Sequence, residues 1–282
     1  MVSTTFKPVQ ELVGEAMQRG ELDQAIAMLD EALAKEKDKT LLFIAFELKA
    51  LVEDFEGALG AIDLLLVAID APARPALEEL RRCAVGDLQR SLVRTEPMIA
   101  GKRAATASPP PWQLAYVQAA VAHAGREYGK AAAAIDDGRA AVRPAPGTLH
   151  FAKGSLRFKD IHDADDLIGP QLVAVGTSGL LELAFHQLAS VELLPARGFQ
   201  DTVWLPARVM TRQGLPMMLR VPALYTGSGK HADPAVRLGQ TAKLARDTGY
   251  AVGLGQRSFR LRTETGEDLV GIRQVRKIEL DK

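Results

Sequence analysis

The sequence predicts an α+β protein in which α-helical repeats in the N-terminal half precede a small, antiparallel β-rich domain. Three observations favour this fold class. A helical hairpin pattern recurs along the first half, the run Arg143-Pro144-Ala145-Pro146-Gly147 cannot continue a helix, and the apolar period after that run shortens from about 3.6 to 2 residues. We therefore expect a helical repeat domain in residues 1–147 and a β-rich domain in residues 148–282.

The first helical hairpin occupies residues 9–34. Apolar residues recur there at steps of three and four positions, and Gly20 separates two such runs where a helix can end in a left-handed conformation. The pattern returns around Ala58 and Ala131, each preceded at three positions and followed at four by a large apolar residue. Ala25 and Ala58 lie 33 positions apart (58 − 25). These features match the second helix of the tetratricopeptide repeat, whose period is about 34 residues.

Less regular segments follow in the helical half. Residues 77–93 and residues 112–124 predict two further helices, and residues 101–111 predict a loop that ends in three prolines. Proline lacks the backbone donor that a helix needs, so the loop interrupts the repeats.

Short β-branched or alternating runs, separated by Gly, Pro and Asp, predict strands in the second half. They are residues 172–175, 180–184, 202–205, 217–221, 258–262 and 269–280. Residues 258–262 alternate in polarity and Thr265-Gly266 supplies a turn, so this segment and the next predict a hairpin. We expect a compact antiparallel sheet or a partly open barrel, with a short helix near residues 234–244.

Composition excludes some functions and favours a soluble, cytoplasmic protein. The 35 basic and 35 acidic residues cancel, so no overall field attracts nucleic acid or an anionic membrane. No stretch reaches the roughly 18 apolar residues that span a bilayer, and residues 1–6 do not begin a secretory signal. The single cysteine, Cys83, cannot form an internal disulfide, and its helical surroundings predict a buried side chain.

One cluster of potential metal ligands stands out: Asp160, His162, Asp163, Asp165 and Asp166. Hard cations favour clustered carboxylates, but the glycine and glutamate positions of an EF-hand loop are missing here. The favoured interpretation is that these aspartates cap turns or accept salt bridges from arginine-rich strands. A metal-dependent hydrolase that uses the Asp163 to Asp166 cluster, with His162, is the alternative.

No other motif indicates chemistry. Gly227-Ser228-Gly229-Lys230 lacks the spacing of a phosphate-binding loop and predicts a turn. Gly253 and Gly255 lack the third glycine of a dinucleotide-binding motif, and Ser178 lacks the second glycine of a nucleophile elbow. The five histidines are scattered, with no pair at metal-ligand spacing on one helix. We predict no catalytic residue, no metal site and no cofactor.

Several short sequence motifs of the second half occur together in a characteristic order. They are Leu156-Arg157-Phe158-Lys159-Asp160, Gly169-Pro170, Asp201-Thr202-Val203-Trp204-Leu205-Pro206-Ala207, Val221-Pro222-Ala223-Leu224-Tyr225, Arg237-Leu238-Gly239-Gln240-Thr241 and Gly253-Leu254-Gly255-Gln256-Arg257. With the tetratricopeptide-like first half, the chain resembles the ImpE/SciE/TagJ family of type VI secretion accessory proteins. The resemblance implies a cytoplasmic adaptor that works with the small subunit of the contractile sheath and with the AAA+ ATPase that disassembles the sheath.

Binding of a segment of the sheath subunit is therefore the expected function. Helical repeats leave a concave face on which a helix or an extended segment can bind. Trp112, Phe199, Trp204 and Tyr225 are the predicted partner-binding anchors, although core packing is the competing interpretation for Trp204 and Tyr225. A general tetratricopeptide co-chaperone that clamps a carboxylate is a further alternative, which the scarcity of basic residues on the first helices disfavours.

Overall fold

The computed structural model describes residues 8–102 and 109–282, so the predictions for residues 1–6 and for most of the 101–111 loop lie outside the described residues. The helices of the first half are α1 (Val9–Gln18), α2 (Leu22–Lys35), α3 (Lys39–Leu51), α4 (Phe55–Ala68), α5 (Arg74–Thr95), α6 (Pro97–Gly101), α7 (Pro111–Ala124) and α8 (Tyr128–Ala141). The predicted helices at residues 77–93 and 112–124 are α5 and α7.

The helices pack in consecutive pairs around small residues. The three repeated alanines, Ala25, Ala58 and Ala131, are fully buried, so the neighbouring helix can approach closely. The turn into each of these helices contains a residue with positive φ, five positions before the alanine: Gly20 (77°), Glu53 (61°) and Arg126 (60°). The hairpin therefore keeps one turn geometry even where the glycine is replaced.

The second half is built from short strands with two single-turn helices. The strands are β1 (Gly147–His150), β2 (Ser155–Phe158), β3 (Asp160–Asp163), β4 (Gln171–Gly176), β5 (Gly179–Ala184), β6 (Leu188–Leu193), β7 (Trp204–Thr211), β8 (Pro216–Pro222), β9 (Ala242–Ala245), β10 (Val252–Gly255), β11 (Ser258–Arg262), β12 (Glu267–Gly271) and β13 (Lys277–Leu280). The helices are α9 (Gln200–Val203) and α10 (Pro234–Arg237).

Antiparallel pairing links these strands into three sheets. The eight-stranded sheet has the order β2-β1-β13-β6-β7-β8-β4-β5, a three-stranded sheet has the order β12-β11-β3, and β9 pairs with β10. Alternate residues of β4 point to opposite sides, because Leu172 and Ala174 join the core of the β-rich half while Val175 packs with the helices. The α+β fold class predicted from the sequence is confirmed.

The predicted β elements agree with the structure in part. The hairpin of β11 and β12 forms in the expected place, with Phe259 opposite Val270. The strand predicted at residues 202–205 begins only at Trp204, because the preceding residues form α9. The helix predicted near residues 234–244 ends at Arg237, and residues 242–245 form β9 instead. The strand predicted at residues 269–280 is interrupted by a short 3-10 helix between β12 and β13.

One hydrophobic core crosses the junction between the two halves. Val175, Val203 and Trp204 of the second half belong to the same buried cluster as the residues of α1 to α5. A separate cluster fills the β-rich half, with Phe158, Phe185 and Phe259 among its members. The change from helices to strands falls between α8 and β1. A division into two domains at residue 147 remains a prediction.

Candidate functional site

The contact between the two halves contains most of the residues that the sequence analysis singled out. We call the surface formed by α3, α5 and α7 the inner face. The β-rich half lies against this face, and α5 in particular contacts β4, β5 and β8. At Gly86 of α5, a Cβ atom would lie 2.7 Å from Val175 Cγ2, so this glycine permits the close approach of helix and sheet.

Trp204 is the apolar centre of this contact. Its side chain is fully buried, and its ring stacks on Phe46 of α3 with 5.7 Å between the ring centroids. The indole Nε1 donates a hydrogen bond to Asp87 Oδ2 of α5 at 2.8 Å, so the polar atom of the ring is also satisfied inside the protein. As folded, the ring is not accessible to a partner.

Asp163 is buried at the end of β3 and is ion-paired there. Arg257 Nη2 lies 2.7 Å from Asp163 Oδ2, and the pair has at most 1% side-chain exposure. Tyr225 Oη donates to Asp163 Oδ1 at 2.9 Å, and Arg257 Nη1 also donates to the carbonyls of Val173 and Pro222. Burial raises the pKa of the Asp163 carboxyl, and the neighbouring Arg257 guanidinium opposes that shift.

Asp165 connects the β-rich half to α5. Its carboxylate accepts the amides of Leu167 at 3.0 Å and Gly253 at 2.9 Å, and it forms an ion pair with Arg94 of α5. The Asp165 side chain is fully buried. A charge placed there needs its partners, because an unpaired buried carboxylate is strongly unfavourable.

Asp166 makes the corresponding connection to α8. It forms ion pairs with Arg139 of α8 and with Arg260 of β11, the second at 2.8 Å, and it accepts the amide of Ala251 at 2.7 Å. The prediction that these aspartates cap turns and accept salt bridges is confirmed by these contacts. Within residues 8–102 and 109–282, no group of three or more His, Cys, Asp or Glu side chains could hold a metal ion.

Further ion pairs surround this network. Arg220 of β8 reaches Glu79 of α5 at 2.8 Å and also pairs with Asp201 of α9. Arg237 of α10 forms a pair with Asp23 of α2 at 2.6 Å. The contact between the halves is therefore polar at its margin and apolar around Trp204.

Glu47 of α3 is a buried acid in the same contact. Its Oε1 accepts the amide of Gln200 at 3.1 Å, and no cation pairs with it among the described ion pairs. Burial raises the pKa of Glu47 to about 7, and the nearby Asp201 carboxylate adds to that increase. The sequence analysis did not single out this acid. The available signal was its position, because Glu47 is the one acidic residue within the apolar run of α3.

The glycine-rich motif at residues 227–230 packs against the end of α3. Gly227 has a φ of 90°, and the Gly229 amide donates to Glu53 Oε1 at 3.1 Å. A Cβ at Gly229 would lie 2.5 Å from the Val52 carbonyl carbon. The predicted turn is confirmed, and its glycine is required by close packing between the two halves.

The four predicted anchors all pack within the chain. Trp112 lies edge-on to His186, with 5.8 Å between ring centroids, and Tyr225 is 1% exposed. Phe199 is half-buried against the core that contains Trp204. Partner binding through these four residues remains a prediction. Trp112, Phe199 and Trp204 pack in the contact between the halves, whereas the Tyr225 hydroxyl is hydrogen-bonded within the β-rich half to Asp163 and Ser258. Cys83 is buried as predicted, and burial raises the pKa of its thiol.

Other surfaces remain exposed. A small apolar cleft of about 40 Å³ lies between α5, α7 and β5 and is lined by residues that include Val93, Ala120 and Leu180. Several large apolar side chains also face solvent: Leu64, Val67, Met98, Leu114, Leu215, Met218 and Leu269. Across the described ranges, the helices are too short or too polar to traverse a lipid bilayer.

Comparison with known proteins supports the fold and the family. The X-ray crystal structure of protein VPA1032 from Vibrio parahaemolyticus superimposes with a TM-score of 0.80, covering 96% of this chain and 98% of that chain at 20% sequence identity. That similarity shows the fold. No curated protein matches this chain. Residues 155–279 match the family model described as ImpE protein, within the same segment that carries the ordered motifs. The resemblance inferred from those motifs is thus confirmed: the β-rich half of this chain carries the pattern of the ImpE family, which is associated with type VI secretion.

Proposed function

We propose that this protein is a non-catalytic accessory adaptor of a type VI secretion system. It binds a segment of the small subunit of the contractile sheath, and it also engages the AAA+ ATPase that disassembles the sheath. The observation that carries this proposal is the ImpE match over residues 155–279. The family resemblance supplies the identity of both partners.

The geometry of the aspartate cluster supports a binding role over a hydrolase. Asp163, Asp165 and Asp166 are held by arginines and backbone amides, so their oxygens already have partners. A hydrolytic site would need carboxylates that face a substrate. The same residues instead connect the helical half to the β-rich half, which favours a stable scaffold.

The inner face offers no support for a co-chaperone that clamps a peptide. In tetratricopeptide proteins the concave face binds the ligand. Here the β-rich half occupies the face formed by α3, α5 and α7, with Trp204 buried against Phe46. A partner of this chain therefore binds outside the inner face, on exposed surface of the helices or of the β-rich half.

Calorimetric titration of the intact protein with fragments of the purified sheath small subunit tests the proposal. At least one fragment is expected to bind with a Kd below about 100 μM, which corresponds to about 5.5 kcal/mol. If no fragment reaches that affinity, the adaptor proposal is wrong for this partner. Co-purification with the ATPase, with and without the sheath fragment, then shows whether the second contact is direct.

A pair of phenylalanine variants tests the predicted anchors. Phe199→Ala removes the one predicted anchor that is half-buried, and Phe43→Ala removes a half-buried ring of α3 as the matched control. We expect Phe199→Ala to weaken binding at least tenfold and Phe43→Ala to leave it unchanged, with melting curves confirming that both variants fold. Equal affinity of both variants would keep the adaptor role and remove Phe199 from the site.

A further inference from the structure

The outer edge of β12 is an unpaired strand edge with a defined hydrogen-bonding pattern. Thr263 donates to the Gly266 carbonyl and Ile272 donates to the Arg257 carbonyl, which fixes which residue pairs of β11 and β12 are hydrogen-bonded. Because such pairs alternate along an antiparallel ladder, Leu269 opposite Arg260 is a non-hydrogen-bonded pair.

The backbone N–H and C=O groups of Leu269 therefore point away from β11. The same groups of Glu267 and Gly271, two positions to either side, also point outward. In the described part of the chain, no other strand joins this side of β12. Unpaired strand edges are templates on which an added strand can form main-chain hydrogen bonds.

The side chains along this edge select a particular kind of strand. Leu269 is 58% exposed, and the adjacent Glu267 and Asp268 are exposed on opposite faces of the strand. The cations of the same sheet lie one strand further from the edge. Arg260 of β11 is paired with Asp166, and the exposed Arg262 of β11 lies opposite Glu267. The charges nearest to an added strand are thus acidic on both faces, next to one exposed apolar side chain.

We propose that the outer edge of β12 binds an extended segment of a partner protein, added as an antiparallel strand, in which one apolar residue is followed by two basic residues. The apolar residue lies opposite Leu269, and the basic residues lie opposite Asp268 and Glu267. This occupant fits the charges as well as the backbone, because a cation beside each exposed carboxylate is favourable across neighbouring strands. The inference goes beyond the proposed function, since it requires neither the sheath subunit nor the ATPase.

The two edges of the eight-stranded sheet fit such a segment less well. β2 has four residues, and its Arg157 side chain already binds Asp281. β5 packs against α5, so one of its faces is covered. β12 combines an exposed apolar side chain, exposed acids and outward backbone groups in one strand.

A labelled synthetic peptide, Thr-Thr-Val-Lys-Lys-Thr-Thr, is the probe, and fluorescence anisotropy measures its binding to the intact protein. Leu269→Pro removes the outward amide together with the leucine side chain but breaks no bond to β11, because Leu269 donates none to that strand, and proline is tolerated at such edge positions. We expect this variant to lose at least tenfold in affinity, or about 1.4 kcal/mol. Leu269→Thr keeps the amide and is expected to lose less.

Methylated peptides provide a test on the unaltered protein. Methylation of the valine nitrogen removes the amide that donates to the Leu269 carbonyl and is expected to abolish binding. Methylation of the next lysine nitrogen alters an amide that faces away and is expected to leave most of the affinity. Equal binding by both peptides, or no binding by the unmodified peptide, overturns the proposal. So does a wild-type dimer in sedimentation that Leu269→Pro abolishes, because a second copy would then occupy the edge.

Discussion

Arg257 and Asp163 illustrate how single residues hold the two ends of the β-rich half together. Asp163 ends β3, and Arg257 precedes β11, 94 positions later in the chain. Both side chains are almost entirely buried, and Arg257 also satisfies two backbone carbonyls. A buried pair of this kind is costly to break, since the remaining charge has neither water nor partner.

Replacing Arg257 by Met is therefore expected to lower the free energy of unfolding by about 3–5 kcal/mol. The matched control is Arg157→Met, which breaks a solvent-exposed pair with Asp281 and is expected to cost much less, because water screens that pair. Urea denaturation of both variants measures the difference. Equal losses would show that burial does not set the strength of the Arg257 pair.

The sequence predicted the roles of these aspartates and their pairing with arginine-rich strands, as in the pair of Arg260 with Asp166, but not their partners on the helices. Asp favours caps and turns wherever the backbone needs an acceptor, so clustering alone indicated structural use. Arg94 lies 71 positions from Asp165, and nothing in its own helix marks it as a partner. The pairing of Arg94 with Asp165 depends on how α5 packs on the β-rich half. Local sequence patterns do not predict that packing.

Gly229 acts at the scale of elements, because it allows the turn after β8 to approach the end of α3. A Cβ there would lie 2.5 Å from backbone of Val52. Gly229→Ala is expected to destabilise the protein by about 1–3 kcal/mol, since backbone must shift to relieve the contact.

Gly60→Ala is the control for that substitution. Gly60 lies within α4 with no atom near its Cβ position, so alanine there is expected to stabilise the protein by about 0.5–1 kcal/mol through helix propensity. Thermal denaturation of the two variants measures both changes. A Gly229→Ala variant as stable as the wild type would contradict the close packing of the turn on α3.

Glu47 makes the contact between α3 and α9 sensitive to pH. Its pKa is about 7 in the folded protein, against an ordinary value of 4.5. Between those values the folded state binds more protons than the unfolded state, so stability falls as pH rises, by at most about 1.4 kcal/mol per pH unit. Above about pH 7 the stability that protonated Glu47 contributes has been lost completely.

Glu47→Gln is expected to remove that part of the pH dependence while keeping an acceptor for the Gln200 amide. The difference in unfolding free energy between variant and wild type should grow from pH 4.5 to pH 7 and then level off. Chemical denaturation across this range tests it. A difference that is constant with pH would show that Glu47 has an ordinary pKa in the folded protein.

Helices and strands with a regular spacing of apolar residues were predicted well. Short elements whose residues favour more than one secondary structure were not. The hairpin of α1 and α2 and the hairpin of β11 and β12 follow from local periodicity and turn residues. The strand predicted at residues 202–205 was wrong for its first two residues. The β-branched Thr202 and Val203 belong to the single turn of α9 instead. The contact with α3, through the Gln200 amide and Glu47, overrides local propensity.

At the scale of the whole molecule, the helical half and the β-rich half share one core. α1 to α5 pack with Val175, Val203 and Trp204, and ion pairs from α2, α5 and α8 surround that contact. The inner face of the repeats is therefore used for internal packing. The sequence predicted an available groove there, because repeat patterns show which helices pair but not what lies against them.

Hydrogen exchange of the protein during titration with the purified sheath small subunit tests most directly whether the chain binds its partner as an intact adaptor. We expect slower exchange in exposed segments as the subunit is added. The amides of Leu167, Ala251 and Gly253, which donate to or lie beside the buried aspartates, should remain equally slow. Faster exchange at those amides would show that the partner displaces the β-rich half. Unchanged exchange throughout the chain would show that the subunit does not bind. Either result would contradict the proposal of an intact adaptor.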